Sequence, residues 1–278
     1  MIQNHCVSIK QATVLFFSSF LLAACGEPQP RTSVREKGRL TVVMDEPLPG
    51  YFVFGGESYG YQYDLFKAFA DHLGVELQVV RSERPSEYDA MLADGRADIV
   101  TALSDHAAEI ASASAIPIYH TSYVLLAGKR KADEIRKKKR FELIPCIREG
   151  KVLISSGFKS TRAYSMLLDS LSRTAEVYVS SRNSFELIGA LGDGRYDYLI
   201  CEMSEAQLGC AFQKNVAQIY RFAEPVALSA VVSPQDTSLR SDFEAWLSHF
   251  RNSGEYAMLN YLYFEKGIVR QMLGRGLS

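Results

Sequence analysis

Apolar positions in the first third of the chain alternate between two periods. Residues 40–44 form a short β-rich run, and the D-E-P-L-P-G segment at 45–50 can neither continue a strand nor start a regular helix. A loop carrying Tyr51, Phe52, Phe54, Tyr59 and Tyr61 follows. Over 64–73 the spacing changes to that of a helix. Leu65, Phe66, Phe69, Ala70 and Leu73 share one face, and Gly74 is the expected terminator. A strand at 75–80, a helix over 86–94 and a strand at 98–103 complete a β-α-β-α-β order. Right-handed crossovers make that order a parallel sheet covered by helices.

The same order recurs downstream. A strand is predicted at 151–155, a helix at 161–171 with Tyr164, Met166, Leu167, Leu168 and Leu171 as its apolar set, and a strand at 176–179. Ser184 reads as the cap of a helix ending at Leu191, and a strand at 197–202 follows. The phrase L-x-D-G-R-x-D joins helix to strand in both halves, at 92–98 and again 99 residues later at 191–197. Gly95 and Gly194 supply the left-handed residue that closes a helix, with Arg96 and Arg195 on the surface beside the last carbonyls. Two similar α/β lobes are the economical reading.

Two extended apolar runs, 123–127 and 226–232, suit crossings to the second lobe and back. Beyond them, Leu239, Phe243, Trp246, Leu247 and Phe250 form a helical stripe, Gly254 breaks it, and 256–264 make a second, aromatic-rich helix. Lobe one then comprises 38–126 with 226–278, and lobe two 127–225. Ahead of them, Lys10 precedes an apolar stretch at 12–24, too short to span a membrane and ending in small residues, so 1–24 reads as a secretion signal. Residues 25–37, polar with two prolines, read as a tether, with order beginning near Gly38.

Composition is that of a globular protein, 47% apolar and 23% charged. The formal net charge of −1 gives no bulk attraction to nucleic acid, and no aromatic-basic platform is present, so nucleic acid is dropped as a partner. Past residue 25 the cysteines are Cys146, Cys201 and Cys210, an odd number without a C-x-x-C. That argues against redox chemistry and against zinc. No cofactor or metal is expected. The run Lys129-Arg130-Lys131 with Arg136-Lys137-Lys138-Lys139-Arg140 reads first as a solvated helix face, and a contact with anionic lipid or wall polymer is the alternative.

Leu22-Ala23-Ala24-Cys25 resembles the bacterial lipobox, which implies Cys25 as the lipidated first residue of the mature protein. An ordinary cleaved signal is the plainer alternative. The stretches Gly60-Tyr61-Gln62-Tyr63-Asp64-Leu65, Phe69-Ala70-Asp71-His72-Leu73-Gly74-Val75, Leu92 to Asp98, Pro117-Ile118-Tyr119 and Gly194-Arg195-Tyr196-Asp197-Tyr198 resemble, in order and spacing, extracytoplasmic solute-binding proteins of the amino-acid-binding family. The pattern is that of the N-terminal, non-catalytic domain of the membrane-bound lytic murein transglycosylase F family. This resemblance implies the type II periplasmic-binding-protein fold, two lobes of mainly parallel sheet flanked by helices and joined by two crossover strands. It also implies a monomeric, membrane-anchored lipoprotein of the bacterial cell envelope that faces the periplasm or exterior. Its partners would be a small-molecule ligand and an ABC-type permease or a cell-wall enzyme. Only residues 268–278 follow the resembled module, so the lytic domain is expected to be absent and the chain not to be an enzyme.

Ligands of open α/β sheets bind beyond the carboxyl ends of strands. In lobe one this selects Asp45, Glu46, Tyr51 and Phe54 after the first strand, and Ser104, Asp105 and His106 after the third. Plain packing is the alternative for the aromatics, and a surface position for His106. Amino-acid binders place an Arg shortly after this third strand to clamp the ligand carboxylate. Here no Lys or Arg occurs between Ala97 and Gly128, so that clamp is missing. In lobe two, Ser156, Ser160 and Thr161 lie in a strand-to-helix turn whose free N–H groups attract an anion, with Lys159 and Arg162 adding charge. Simple N-capping is the alternative; in the resembled family this turn receives the ligand carboxylate. Glu202 ends the last strand, where the family's acid takes a ligand amine. The alternative is a solvated acid ahead of a helix capped by Ser204, with Gln207 in capping-box spacing.

Overall fold

The computed structural model describes residues 32–44, 50–82, 85–103, 110, 115–137, 142–148, 150–171, 175–182 and 184–265. It begins one element earlier than the sequence suggests. A single-turn helix α1 (Val34–Lys37) precedes the first strand, held by a capping box between Ser33 and Glu36. Strand β1 (Arg39–Met44) follows, and the expected aromatic loop contains a small hairpin, β2 (Phe52–Phe54) with β3 (Glu57–Tyr59). Helix α2 (Tyr61–Leu73) starts three residues before the predicted position and stops at Gly74, whose φ is 72°. Then come β4 (Glu76–Arg81), α3 (Tyr88–Ala93) and β5 (Ile99–Leu103).

Strand β6 (Ala115–Gly128) leads out, and α4 (Lys129–Arg136) and α5 (Leu143–Ile147) sit at the far end. The second half then runs β7 (Lys151–Ser155), α6 (Arg162–Leu171), β8 (Glu176–Ser180), α7 (Ser184–Gly192), β9 (Tyr198–Glu202) and α8 (Met203–Phe212). Strand β10 (Val216–Val232) returns, followed by α9 (Thr237–Phe250) and α10 (Gly254–Asn260), which continues into a π-helical turn at Tyr261–Glu265.

The sheet order is β4-β1-β5-β10-β6-β9-β7-β8. Within each half the pairs are parallel, β4-β1-β5 in one and β9-β7-β8 in the other. The long strands β6 and β10 pair antiparallel with each other and with the adjoining half, β10 with β5 and β6 with β9. This is the two-lobed α/β architecture with two crossover strands. The crossovers are much longer than the two apolar runs that betrayed them, because their pairing continues through polar residues around the register shift between Arg221 and Pro225.

Side chains alternate across each strand, so each half buries two faces. In the first, Val42 and Met44 meet α2 and α9, where Phe66, Phe69, Phe243, Trp246 and Phe250 form an aromatic layer of stacked, tilted and edge-on rings, while Val43 faces Tyr88, Met91 and Leu92 of α3. In the second, Leu125 and Ile200 pack with Phe158 and Phe222, and Val124, Leu126 and Leu199 pack with Leu187 and Ile188 of α7.

The repeated phrase builds the same joint twice. Gly95 and Gly194 have φ of 80° and 75°, and Arg96 and Arg195 are exposed, each paired with the Asp two residues before it. The closing Asp of each copy then clasps the neighbouring strand. Asp98 accepts from Thr41 N (2.8 Å) and pairs with Lys37 (2.5 Å), while Asp197 accepts from Lys151 N (2.9 Å) and pairs with Lys131 (2.7 Å). Lys131 is therefore tied down within the basic run, and Ala132 and Ile135 of α4 are buried. The described part of that run is a half-packed helix.

Candidate functional site

Strand β7 feeds a 3-10 turn, Ser156–Ser160, that is pinned by its centre. Phe158 is fully buried, with ring centroids 5.0 Å from Tyr123 and 4.9 Å from Phe222. Ser156 opens the turn half-buried, Ser160 closes it, and Lys159 and Arg162 are exposed. Thr161 is buried and acts as a cap: its hydroxyl donates to Phe158 O (2.8 Å) and accepts from Tyr164 N (3.1 Å). The next two N–H groups, those of Arg162 (3.4 Å) and Ala163 (3.0 Å), donate to the carboxylate of Glu224 on β10. The start of α6 thus holds a carboxylate of the chain itself.

Glu202 is buried, at 4% exposure. Its carboxylate accepts from Ser204 N (2.9 Å), Glu205 N (3.2 Å) and the hydroxyls of Ser204 and Thr121. The residue that caps α8 is therefore Glu202, not Ser204, which lies inside the first turn. A charged cap suits this place because the helix start carries partial positive charge. Ser184 likewise begins α7 with its hydroxyl donating to Glu205.

Tyr123 connects these two features. It pairs with Glu202 across β6 and β9, and its ring packs on Phe158. A Cβ on Gly157 would lie 2.6 Å from the Tyr123 hydroxyl and 3.7 Å from Leu103 Cδ1, so the end of β5 in the first lobe abuts the turn of the second. Both lobe-two candidates and the end of a lobe-one strand come together at the crossover.

Of the lobe-one candidates, Tyr51 is buried, shares a 3.3 Å hydrogen bond with Ser58 and lies under the Arg81 guanidinium, 5.1 Å from its ring centroid. Phe54 is half-buried against the aromatic core. Glu46, Ser104 and His106, with Asp45, Asp105 and the lipidation candidate Cys25, lie outside the described residues.

A cavity of about 490 Å³ opens beside Glu202. Thr121, Met203, Ser204 and Gln207 form one wall, and Arg251, Tyr256 and Phe264 another. Among the described residues, none of those selected from the sequence as ligand contacts lines it, although Ser204 and Gln207 of the expected capping box do. Thr121, Glu224 and Arg251 had no local signature, since each acquires its neighbours only through long-range pairing of the crossovers and the C-terminal helices. Tyr119, also on this cavity, has its hydroxyl pushed far up by burial and by the Glu202 carboxylate, so it stays protonated. Among the described residues there is no cluster that could hold a metal ion, and no helix is long and apolar enough to cross a membrane.

The sequence model for bacterial extracellular solute-binding proteins, family 3, matches residues 40–266. The membrane-bound lytic murein transglycosylase F of Idiomarina loihiensis is 24% identical over 93% of this chain and 56% of that protein. The one from Hahella chejuensis is 22% identical over 90% of the chain and 49% of its own length. The chain thus spans about half the length of these relatives. Among solved structures, an ancestral amino acid-binding protein described as a precursor of cyclohexadienyl dehydratase superposes with a TM-score of 0.66 at 22% identity, covering 84% of this chain and 97% of that one. A mutant of the ArgBP from T. maritima gives 0.65 at 19% identity, covering 83% and 97%.

Proposed function

This chain belongs to family 3 of the bacterial extracellular solute-binding proteins, and from that premise we propose that it closes its two lobes on a small polar solute. Amino-acid-like molecules, short peptides and cell-wall fragments are the classes considered. In this reading Cys25 carries the lipid anchor, the residues between it and Ser33 tether the folded part to the membrane, and α1 and 38–126 with 226–278 move against 127–225. An ABC-type permease or another envelope partner receives the closed form.

The observation that carries the reading is the convergence at the crossover. The turn at 156–161, the Glu202-capped start of α8 and the end of β5 meet beside the two strands that join the lobes. A thermal-shift series on the purified protein with amino acids, di- and tripeptides and muropeptides tests it. A true ligand at one hundred times its Kd stabilises the folded state by about 2.7 kcal/mol, and a flat response across the series removes the proposal.

A second reading, a regulatory module of cell-wall turnover, is favoured by the match to transglycosylases F over nearly the whole chain. It predicts co-purification with a wall enzyme and no dependence on a permease. A lyase or dehydratase would need a proton-transfer pair such as His106 with Glu202. The engagement of Glu202 by four donors favours a binder over that reading.

A further inference from the structure

The cavity beside Glu202 combines features that no packing role of its walls requires. Its aromatic lining consists of Tyr119, Tyr256 and Phe264. Behind these stands Tyr61 at the start of α2, 1% exposed, with ring centroids 5.1 Å from Tyr119 and 4.9 Å from Phe264. The Tyr61 hydroxyl is fully enclosed and faces Tyr256 and Arg251, yet no partner completes a hydrogen bond to it at ordinary length. A buried hydroxyl in that condition costs about 1–3 kcal/mol. It has no surface on the cavity, so a ligand there meets the rings of Tyr119 and Phe264 and not this hydroxyl.

Arg251 supplies the charge. One of its terminal nitrogens donates to the carbonyls of Pro117 and Ile118, which fixes the guanidinium against β6, and no carboxylate pairs with it among the described residues. The remaining N–H groups keep their charge and fork geometry for a planar anion. Lobe one has no Lys or Arg between Ala97 and Gly128, where the resembled family clamps its ligand, and Arg251 is the arginine that lines this cavity among the described residues.

We infer that this cavity is a carboxylate site: a small monoanion with a flat, apolar body binds with its carboxylate on Arg251 and its body among Tyr119, Tyr256 and Phe264. The volume, about 490 Å³, falls in the range of small-molecule pockets. The inference rests on the reading that the chain binds a small solute, and it adds the ligand class and the residues that select it.

Phenylacetate is the probe, phenylacetamide its neutral counterpart, and binding to the purified protein is followed by titration calorimetry. Phenylacetate is expected to bind at least about tenfold more tightly than the amide, the usual margin for a charge-assisted hydrogen bond. Arg251→Gln is expected to erase that margin. Tyr61→Phe removes only the enclosed hydroxyl; it should leave phenylacetate affinity within about twofold of the parent and thermal stability equal or higher, since the unmatched polar atom is gone.

Equal binding of acid and amide, or full affinity in Arg251→Gln, overturns the inference, as does absence of phenylacetate binding. If a ligand from the amino acid, peptide or muropeptide series binds both variants as it binds the parent, the solute-binding reading stands and this site falls. If neither that series nor phenylacetate binds, both fall.

Discussion

Asp98 and Asp197 occupy equivalent places, and their surroundings set different expectations. Asp98 is almost wholly buried, so removing one of its partners through Lys37→Ala leaves an interior carboxylate less compensated; the expected loss is about 2–3 kcal/mol by urea unfolding. Asp197 is more open. Burial raises its pKa, but the hydrogen bonds from Lys131 and the Lys151 N–H, together with the charges of those lysines, outweigh it, and the carboxyl sits below its ordinary 3.8. A depressed carboxylate stabilises the fold above its unfolded pKa and loses that contribution as pH falls through the folded value. The stability gap between the parent and Asp197→Asn should therefore be constant above about pH 5 and close below about pH 4. Glu202→Ala should cost about 2–3 kcal/mol, because Thr121 and the first N–H groups of α8 lose their acceptor. Intact affinity of that variant for any amine ligand would end the ligand role for Glu202. Burial pushes the Cys201 thiol up and that of Cys210 to about 11, so at pH 8 both should be alkylated far more slowly in the native than in the unfolded protein.

At the level of elements, local chemistry was enough for most of the frame. The D-G-R-x-D phrase exposed both helix-to-strand joints because a left-handed glycine and a strand-opening Asp leave marks within seven residues. The hairpin β2-β3 escaped notice since its three-residue strands are too short to show a period of two. Most of the site escaped too. Glu224 reaches α6 from 61 residues away along the chain and Thr121 meets Glu202 from 81, separations at which spacing carries no information. One glycine in this region is structurally demanding. Gly60 has φ of 136°, and a Cβ there would lie 2.2 Å from Gly50 O, the carbonyl that receives Gln62 N of α2. Gly60→Ala is expected to displace the start of that helix and lower stability by about 2 kcal/mol or more, checked by thermal unfolding. Gly38→Ala, at φ 65° with nothing within 4 Å, should cost less.

For the molecule as a whole, the important feature is the interleaving of the chain. Strand β5 lies between β1 and β10, and α9 completes the aromatic layer begun by α2. The three strands and most of the helices of the second half, by contrast, are consecutive in sequence. The second half finds its flanking strand β6 already made, whereas the first must hold β1, β4 and β5 without a partner beside β5 until β10 exists. During synthesis, residues 39–103 therefore emerge with an unfinished sheet edge and an apolar face that wait for residues 216–250. A chaperone that covers exposed strands should be needed by truncated chains ending near residue 212 and released once α9 is present. The insertion of one half between β6 and β10 also makes the first-made half the last to mature.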